Sequence, residues 1–289
     1  MKIRKAVILC AGLGTRVLPA TKAIPKEMLT IVDKPAIQYI VEEIVRSGIE
    51  DILIVISRGK SSLQDHFDRT PELENSLFKS GKMESYNEVV DIAKLARIQY
   101  VRQQEMLGTG NAVLCAKAFV GDEPFVVAYG DDVILGDDPC CAQVCRAYEE
   151  FGLGAVAAKE CPLELVTKYS SLKVDHIREN LYKVSDMIEK PKPEQIYSLF
   201  SILGRCALPP EIFDIIEHTK PGAGGEIQLT DAMKELSNTK GMTSVDFTGK
   251  RYDMGNKLGI LKAIVEVGIE HKEVGSDFRD YLREISASL

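Results

Sequence analysis

Lys5-Ala-Val-Ile-Leu-Cys-Ala-Gly-Leu-Gly-Thr-Arg16, continued by Val17-Leu-Pro-Ala-Thr-Lys-Ala-Ile-Pro-Lys26-Glu-Met-Leu29, decides how the rest of the chain is read. Lys5–Cys10 is an apolar, β-prone run that enters a glycine turn, the pattern of a buried first strand. Gly12 and Gly14 directly after it let the backbone approach a ligand, and exposed N–H groups in such a turn hold phosphate oxygens. Gly-x-Gly alone is weak evidence. The dinucleotide fingerprint fails because Val17 stands where its third glycine belongs, and the ATPase-type loop G-x-x-x-x-G-K-[ST] occurs nowhere in the chain. What remains is a glycine turn followed by Arg16 and, ten residues later, Lys26. Arginine can grip phosphate bidentately and lysine acts as a mobile point charge, so two cations on one loop suit a triphosphate. Taken alone, the loop is also compatible with a solvated basic segment.

Outward from this loop, short apolar runs alternate with helical patterns. Ile37, Ile40, Val41, Ile44 and Val45 have the spacing of one buried helix face, and Gly48 ends that helix. Strands are expected at Asp51–Ile56, Arg97–Gln103 and Pro124–Tyr129, with a helix over Asn111–Ala118. This alternation predicts an α/β fold, a mostly parallel mixed sheet flanked by helices. Beyond residue 155 the expected strands (Ser171–Val174, Leu181–Ile188, Leu203–Ala207) are shorter and turn-rich, which suggests a smaller α+β part for a second substrate. Pro221–Gly225 reads as a loop before a helix opening near Glu226, and Asn256 to about Leu289 as terminal helices. The expected organisation is one domain, 1–289, with a nucleotide-binding half to about 155, a second-substrate half over about 156–255, and C-terminal helices over about 256–289.

Bulk properties narrow the partners. A net charge of −7 argues against a nucleic-acid partner, since such binders carry a basic excess. A substrate with several phosphates must then be met by a few placed cations and backbone N–H groups. The basic start at Met1 with its apolar run is too short for a secretory signal, and no stretch approaches the roughly 20 apolar residues of a spanning helix. No membrane partner is expected. The seven cysteines are irregularly spaced, and Cys140, Cys141 and Cys145 have neither a C-x-x-C pair nor a nearby histidine. Reduced thiols in a cytoplasmic protein are the expectation. The four histidines, His66, His176, His218 and His271, sit in no hydrolase motif, and His66 reads as structural. Gly130-Asp131-Asp132 falls at the C-terminal end of an expected strand, where open α/β sheets place their ligands. A carboxylate there suits a hard cation such as Mg²⁺, although an aspartate pair taken alone is more often a turn or a cap than a ligand.

Gly12-Leu-Gly-Thr-Arg16 through Pro25-Lys26-Glu27 resembles the signature of the sugar-nucleotide pyrophosphorylases, the nucleotidylyltransferases. The fuller string to Leu29 is similar to the bacterial UTP–glucose-1-phosphate uridylyltransferases in particular. Further stations match in order: His66-Phe-Asp68, Val101-Arg-Gln-Gln104, Gly121-Asp-Glu-Pro124, Gly130-Asp-Asp132, Ile188-Glu-Lys-Pro191, Gly225-Glu-Ile-Gln-Leu-Thr-Asp231 and Tyr252-Asp-Met-Gly-Asn-Lys257. The resemblance implies a Rossmann-like nucleotide-diphospho-sugar transferase fold. It implies the reaction of UTP and glucose 1-phosphate to UDP-glucose and pyrophosphate, dependent on Mg²⁺, by in-line attack of the sugar phosphate on the α-phosphorus.

Carried over residue by residue, Asp131 and Asp253 would hold the metal, Arg16 the β,γ-phosphates and Lys26 the α-phosphate region. Ala11 and Gly12 would lie against the base and, with Gly14 and Thr15, form the nucleotide loop. Gln103 would read the uracil edge and Gly108 give it room. Glu189 and Lys190 would clamp the sugar phosphate. Ser170 stands where relatives usually have a glycine whose backbone approaches the sugar, and it retains an N–H. Relatives form dimers or tetramers, so a homo-oligomer is implied, with Leu258, Leu261, Val265 and Ile269 assigned to the core rather than to a subunit contact. The alternatives are a related pyrophosphorylase with another nucleotide or hexose phosphate, and a catalytically silent nucleotide-binding paralogue.

Overall fold

The computed structural model describes residues 2–288, so Met1 and Leu289 lie outside the described residues. Its frame is a nine-stranded sheet. In chain order the strands are β1 (Lys5–Cys10), β2 (Asp51–Ile56), β3 (Arg97–Arg102), β4 (Phe125–Tyr129), β5 (Gly154–Glu160), β6 (Ser170–Arg178), β7 (Leu181–Glu189), β8 (Phe200–Leu208) and β9 (Met242–Asp246). Their order across the sheet is β3-β2-β1-β4-β8-β5-β9-β7-β6. The first four run parallel, β8 lies antiparallel between β4 and β5, and β6 and β7 form an antiparallel pair at the far edge.

Strand β1 has no polar alternation because both of its faces are covered. Ala6, Ile8 and Cys10 point to one side, where they share a core with Ile37, Ile40 and Ile44 of the helix Ala36–Arg46. Val7 and Leu9 point to the other, into a core with Val113, Phe125 and Phe213. Successive side chains alternate faces, so a strand buried twice must be apolar throughout. The helix stops where Gly48 takes a positive φ of 81°.

Beyond residue 155 the structure corrects the sequence reading. Strands β6, β7 and β8 are nine residues each, longer than the parallel strands, and they continue the same sheet. Their polar residues made them look short: β6 ends in an exposed stretch through Arg178, which extends the hairpin past the core. The helix expected over Asn111–Ala118 is two short ones, Thr109–Leu114 and Lys117–Val120, and the helix expected near Glu226 opens at Leu229. The C-terminal assignment also changes. Helix Lys257–Gly268 carries apolar residues on more than one face and packs Ile260, Ala263 and Val267 inward, which leaves Leu258, Leu261 and Val265 exposed. Among the described residues no helix is long and apolar enough to cross a membrane. Six of the seven cysteines are buried, and all seven are free.

A buried ion pair fastens the layers beside the sheet centre. Arg205 on β8 is fully buried and donates to Glu43 of the helix Ala36–Arg46, with Nη2–Oε2 at 2.5 Å and Nε–Oε1 at 3.1 Å. Arg205 Nη2 also donates to the Asp132 carbonyl at 3.0 Å, and Glu43 Oε1 accepts from the Cys141 N–H at 2.9 Å. Each charge thus completes backbone bonds that would otherwise be lost in a dry interior. Arg205→Met is expected to lower unfolding free energy by about 3–5 kcal/mol in denaturant titrations, because it strands the Glu43 carboxylate. Pairing it with Glu43→Gln should recover part of that loss, and a single substitution within about 0.5 kcal/mol of wild type would contradict this role.

Candidate active site

The C-terminal ends of β1 and β4 open into one cleft. The loop after β1 turns at Gly14, whose φ of 69° a side chain would strain and whose carbonyl accepts from Thr21 Oγ1 at 2.7 Å. The chain then makes short 3₁₀ turns at Thr15–Val17 and Lys26–Met28, which present Arg16 and Lys26. Strand β4 runs into Gly130, where a Cβ would stand 2.5 Å from Cys10 Sγ and 2.9 Å from the Leu9 carbonyl. Only glycine lets the Asp131 turn lie directly against the end of β1.

Four of the expected residues converge there. Lys26 Nζ lies 2.5 Å from Asp131 Oδ2. Arg16 reaches Asp131 Oδ2 at 3.4 Å and Asp253 Oδ2 at 3.7 Å, so both carboxylates fall within reach of one guanidinium. Asp253 arrives on the strand Lys250–Asp253, which pairs antiparallel with Asp132–Leu135 and sets Asp253 opposite Asp132. Its Oδ1 accepts from the Gly255 N–H at 2.9 Å. A Cβ on Gly255 would lie 2.8 Å from Asp131 Oδ2 and 3.0 Å from Asp253 Oδ1, so the cluster needs glycine at that position.

Electrostatics follow from burial and these partners. Burial would push the Asp131 carboxyl up, but Lys26 and Arg16 outweigh it and hold the group below the usual carboxylate range. Burial opposes the charge on Lys26, yet Asp131 and Glu27 keep its ammonium above its ordinary value. Asp132 behaves differently. It accepts from Arg251 Nε at 2.7 Å, and burial pushes it up to about 6 against the pull of Arg251. Two carboxylates, one from the turn after β4 and one from the strand Lys250–Asp253, flanked by cations that match their charge, form a donor set suited to a hard divalent cation that also binds phosphate oxygens.

On one side of Asp131 lies a cavity of about 510 Å³. Ala11, Gly12, Thr15, Lys26, Gln103 and Gly108 line it, while Gly14 shapes the loop from outside the lining. Gln103 Nε2 donates to the Gly108 carbonyl at 3.1 Å and to Asn111 Oδ1 at 2.8 Å, which leaves Oε1 as the acceptor of that amide. Gly108 owes its identity to a protein neighbour as well as to any ligand. A Cβ there would stand 2.6 Å from the Ile227 carbonyl, and its φ is 106°.

On the other side a second cavity of about 200 Å³ shares Asp131, Tyr129, Thr109 and Glu226 with the first. Glu189, Lys190 and Ser170 line it together. Glu189 Oε2 accepts from Thr230 Oγ1 at 2.8 Å, and burial pushes its carboxyl up. Lys190 has a positive φ of 45°, and its Nζ lies 3.6 Å from Glu189 Oε1. Ser170 is buried, and its hydroxyl oxygen accepts from the Ile202 N–H at 3.0 Å, so the side chain is engaged by the sheet.

Two contributors escaped sequence reasoning. Tyr169 donates from its hydroxyl to Asp253 Oδ2 at 2.8 Å, and the Arg251 guanidinium stacks over the Tyr169 ring at 4.9 Å. Tyr169 stood beside the serine that drew attention. Arg251 precedes a matched motif but belongs to no pattern of its own. Thr230 and Gln228 lay inside the Gly225–Asp231 motif without an assigned role.

Comparisons with known proteins identify the family. The family model described as "Nucleotidyl transferase" matches residues 5–268. A UTP–glucose-1-phosphate uridylyltransferase of Bacillus subtilis, YngB, is 48% identical over 284 residues, which cover 98% of this chain and 96% of that protein. A second uridylyltransferase of the same organism is 46% identical, over 94% of each chain. Among solved structures, a UTP-bound UGPase from Acinetobacter baumannii superposes with a TM-score of 0.90 at 36% identity, covering 98% of this chain and 99% of that one. A UDP-glucose pyrophosphorylase complexed with UDP-glucose gives a TM-score of 0.85 at 40% identity over 93% of this chain and all of its own. With the nine-stranded sheet, the glycine–arginine loop and full-length likeness all in accord, the chain belongs to the nucleotidyl transferase family, among its bacterial UTP–glucose-1-phosphate uridylyltransferases.

Proposed function

We propose that the chain transfers the uridylyl group of UTP to glucose 1-phosphate, giving UDP-glucose and pyrophosphate. The observation that carries this reading is the pair of cavities that share Asp131, with Lys26 and Arg16 at the shared wall. One chamber for a nucleoside and one for a phosphorylated sugar meet where charge must be managed. In the larger chamber Ala11 and Gly12 face the base, Gly108 lines its wall, Gln103 Oε1 accepts from the uracil N3–H, and Gly14 and Thr15 shape the loop around the phosphates. In the smaller, Glu189 accepts from sugar hydroxyls, Lys190 meets the sugar phosphate, and Ser170 offers its backbone to the ring.

The chemistry asks little of acids or bases. A phosphate oxygen of glucose 1-phosphate, already ionised at neutral pH, attacks the α-phosphorus of UTP. The bond from that phosphorus to the oxygen bridging to the β-phosphate breaks on the opposite side, and pyrophosphate leaves with its electrons. Catalysis is then positioning and charge stabilisation. Lys26 meets the charge that grows on the α-phosphoryl oxygens, and Arg16 holds the departing β,γ-phosphates. Asp131 and Asp253 are the residues that would hold Mg²⁺, which when bound would supply Lewis-acid stabilisation of phosphate charge. Tyr169 and Gly255 keep Asp253 oriented toward Asp131. This reading makes residues to about 155 the nucleotide half and about 156–255 the sugar half of one cytoplasmic enzyme. The exposed Leu258, Leu261 and Val265 supply an apolar surface for assembly with further copies.

Pyrophosphate release by the purified protein with Mg²⁺ tests the reading. UTP with glucose 1-phosphate should give strong release, and dTTP or galactose 1-phosphate in their place little. A preference for dTTP or another sugar would move the specificity to a relative, and no release despite UTP binding would indicate a silent paralogue. Lys26→Ala should lower kcat by about 10²–10³-fold with a much smaller change in the Kd for UTP, because its charge acts mainly in the transition state. Equal losses in both would contradict that role. Asp131→Asn should remove the Mg²⁺ dependence of turnover along with the turnover itself, and wild-type rates at limiting Mg²⁺ would refute the ligand assignment.

A further inference from the structure

Beneath the turn that carries Lys26 lies an ion pair that the chemistry above leaves unused. Glu27 is completely buried, and both of its carboxylate oxygens accept from Lys60 Nζ, at 2.9 and 2.8 Å. Lys60 is itself only 7% exposed. It sits between β2 and the short helix Ser62–Phe67, and its carbonyl accepts from the Leu63 N–H at 3.2 Å. The stem of Glu27 also faces the other half of the site, since a Cβ on Gly130 would stand 3.2 Å from Glu27 Cγ. One carboxylate therefore touches the support of Asp131, belongs to the turn of Lys26, and is held by a cation from a third loop.

The pair is expensive to bury. Burial pushes the Glu27 carboxyl up, against the pull of Lys60 and Lys26. A group kept charged in such a place is well suited to fixing geometry. Lys26–Met28 is a 3₁₀ turn, in which consecutive side chains leave about a third of a revolution apart. With Glu27 anchored inward, Lys26 must leave toward the cleft, where its Nζ stands 2.5 Å from Asp131. Lysine has a long flexible stem, so the placement of its charge depends on how firmly its backbone is held.

We propose that Lys60 is a positioning residue for uridylyl transfer: by holding Glu27, it fixes the turn from which Lys26 reaches the reaction centre. Lys60 touches no substrate and lies outside the lining of both cavities. Its contribution reaches the reaction only through Lys26.

The proposal rests on the uridylyl-transfer reading only in its kinetic arm, so two readouts are taken on Lys60→Gln and Lys60→Arg. In the first, Lys60→Gln should lower kcat by about 10–100-fold, the scale expected from displacing a catalytic group by about 1 Å, while KM for UTP changes far less. Lys60→Arg, which can still donate to Glu27, should restore most of the loss. In the second, brief acetylation with acetic anhydride is read by mass spectrometry as the ratio of Lys26 to exposed Lys22. That ratio should rise several-fold in Lys60→Gln and return toward wild type in Lys60→Arg. A merely structural role would lower the melting temperature and leave kcat and the labelling ratio of the folded protein unchanged; that result overturns the proposal. Where Lys60→Gln fails to melt cooperatively, Glu27→Gln/Lys60→Gln replaces it, since it strands no charge, and the same two readouts decide. Wild type inactive toward UTP and glucose 1-phosphate would refute the proposed reaction, while the labelling ratio would still decide whether Lys60 positions Lys26.

Discussion

A carboxylate carried away from water at the end of a strand is the constraint around which this molecule is organised. Asp131 follows Gly130 at the C-terminal end of β4, and the absence of a side chain at 130 lets the turn rest on the end of β1. That contact brings the loop carrying Arg16 and Lys26 over the carboxylate. Burial opposes the charge on such a group, and the two cations that face it outweigh that cost and hold its carboxyl below the usual range. Without the close approach of β1 and β4 the cations would be distant and that compensation would be lost. Packing and electrostatics are one condition here.

The charge balance of the cleft follows from the same condition. The protein carries a net charge of −7, yet its substrates are polyanions. Long-range attraction therefore gives no help, and recognition must be local. Arg16 and Lys26 are neutralised by Asp131 and Asp253 in the absence of ligand. Phosphates entering the cleft therefore meet cations already paired with carboxylates, so binding there exchanges one anionic partner for another. The polar side of the second cavity is built on the same plan, with the Glu189 carboxylate held between Thr230 and Lys190.

How far the sequence disclosed this depends on how local each feature is. The glycine–arginine loop, the buried strand before it and the aspartate turn after β4 are contiguous patterns, and their residues were named from sequence. Asp253 was reached only through a resemblance, because its place opposite Asp132 is made by two strands more than a hundred residues apart. Arg251 and Tyr169 have no local signature at all. Their roles exist only after folding stacks the guanidinium on the ring and aims the phenol at Asp253. The long antiparallel strands were misjudged for a related reason: β6 and β7 pair mainly with each other at a sheet edge, so their outer residues are polar and the apolar run stops short of the strand. The exposed Leu258, Leu261 and Val265 were assigned to the core because apolar spacing marks a helix face without saying which of two faces turns inward.

Three charged pairs surround the Gly130–Asp132 turn, and their arrangement explains why so many buried ions are tolerated in so small a volume. Arg205, paired with Glu43, donates to the Asp132 carbonyl, and Arg251 holds the Asp132 side chain. Glu27 and Lys60 support the facing loop. Apolar residues of similar volume would often be at least as stable in such places. They would not, however, specify direction: an apolar contact tolerates rotation, whereas an ion pair with its hydrogen bonds filled has one arrangement. Adjacent carboxylates are separated here by direction: Asp131 faces Lys26 and Arg16, while its neighbour Asp132 faces Arg251. A turn of two adjacent carboxylates has no intrinsic reason to separate them in this way, and Arg251 with Arg205 provides it. The charges gathered at Asp131 are therefore oriented by ion pairs outside that cluster.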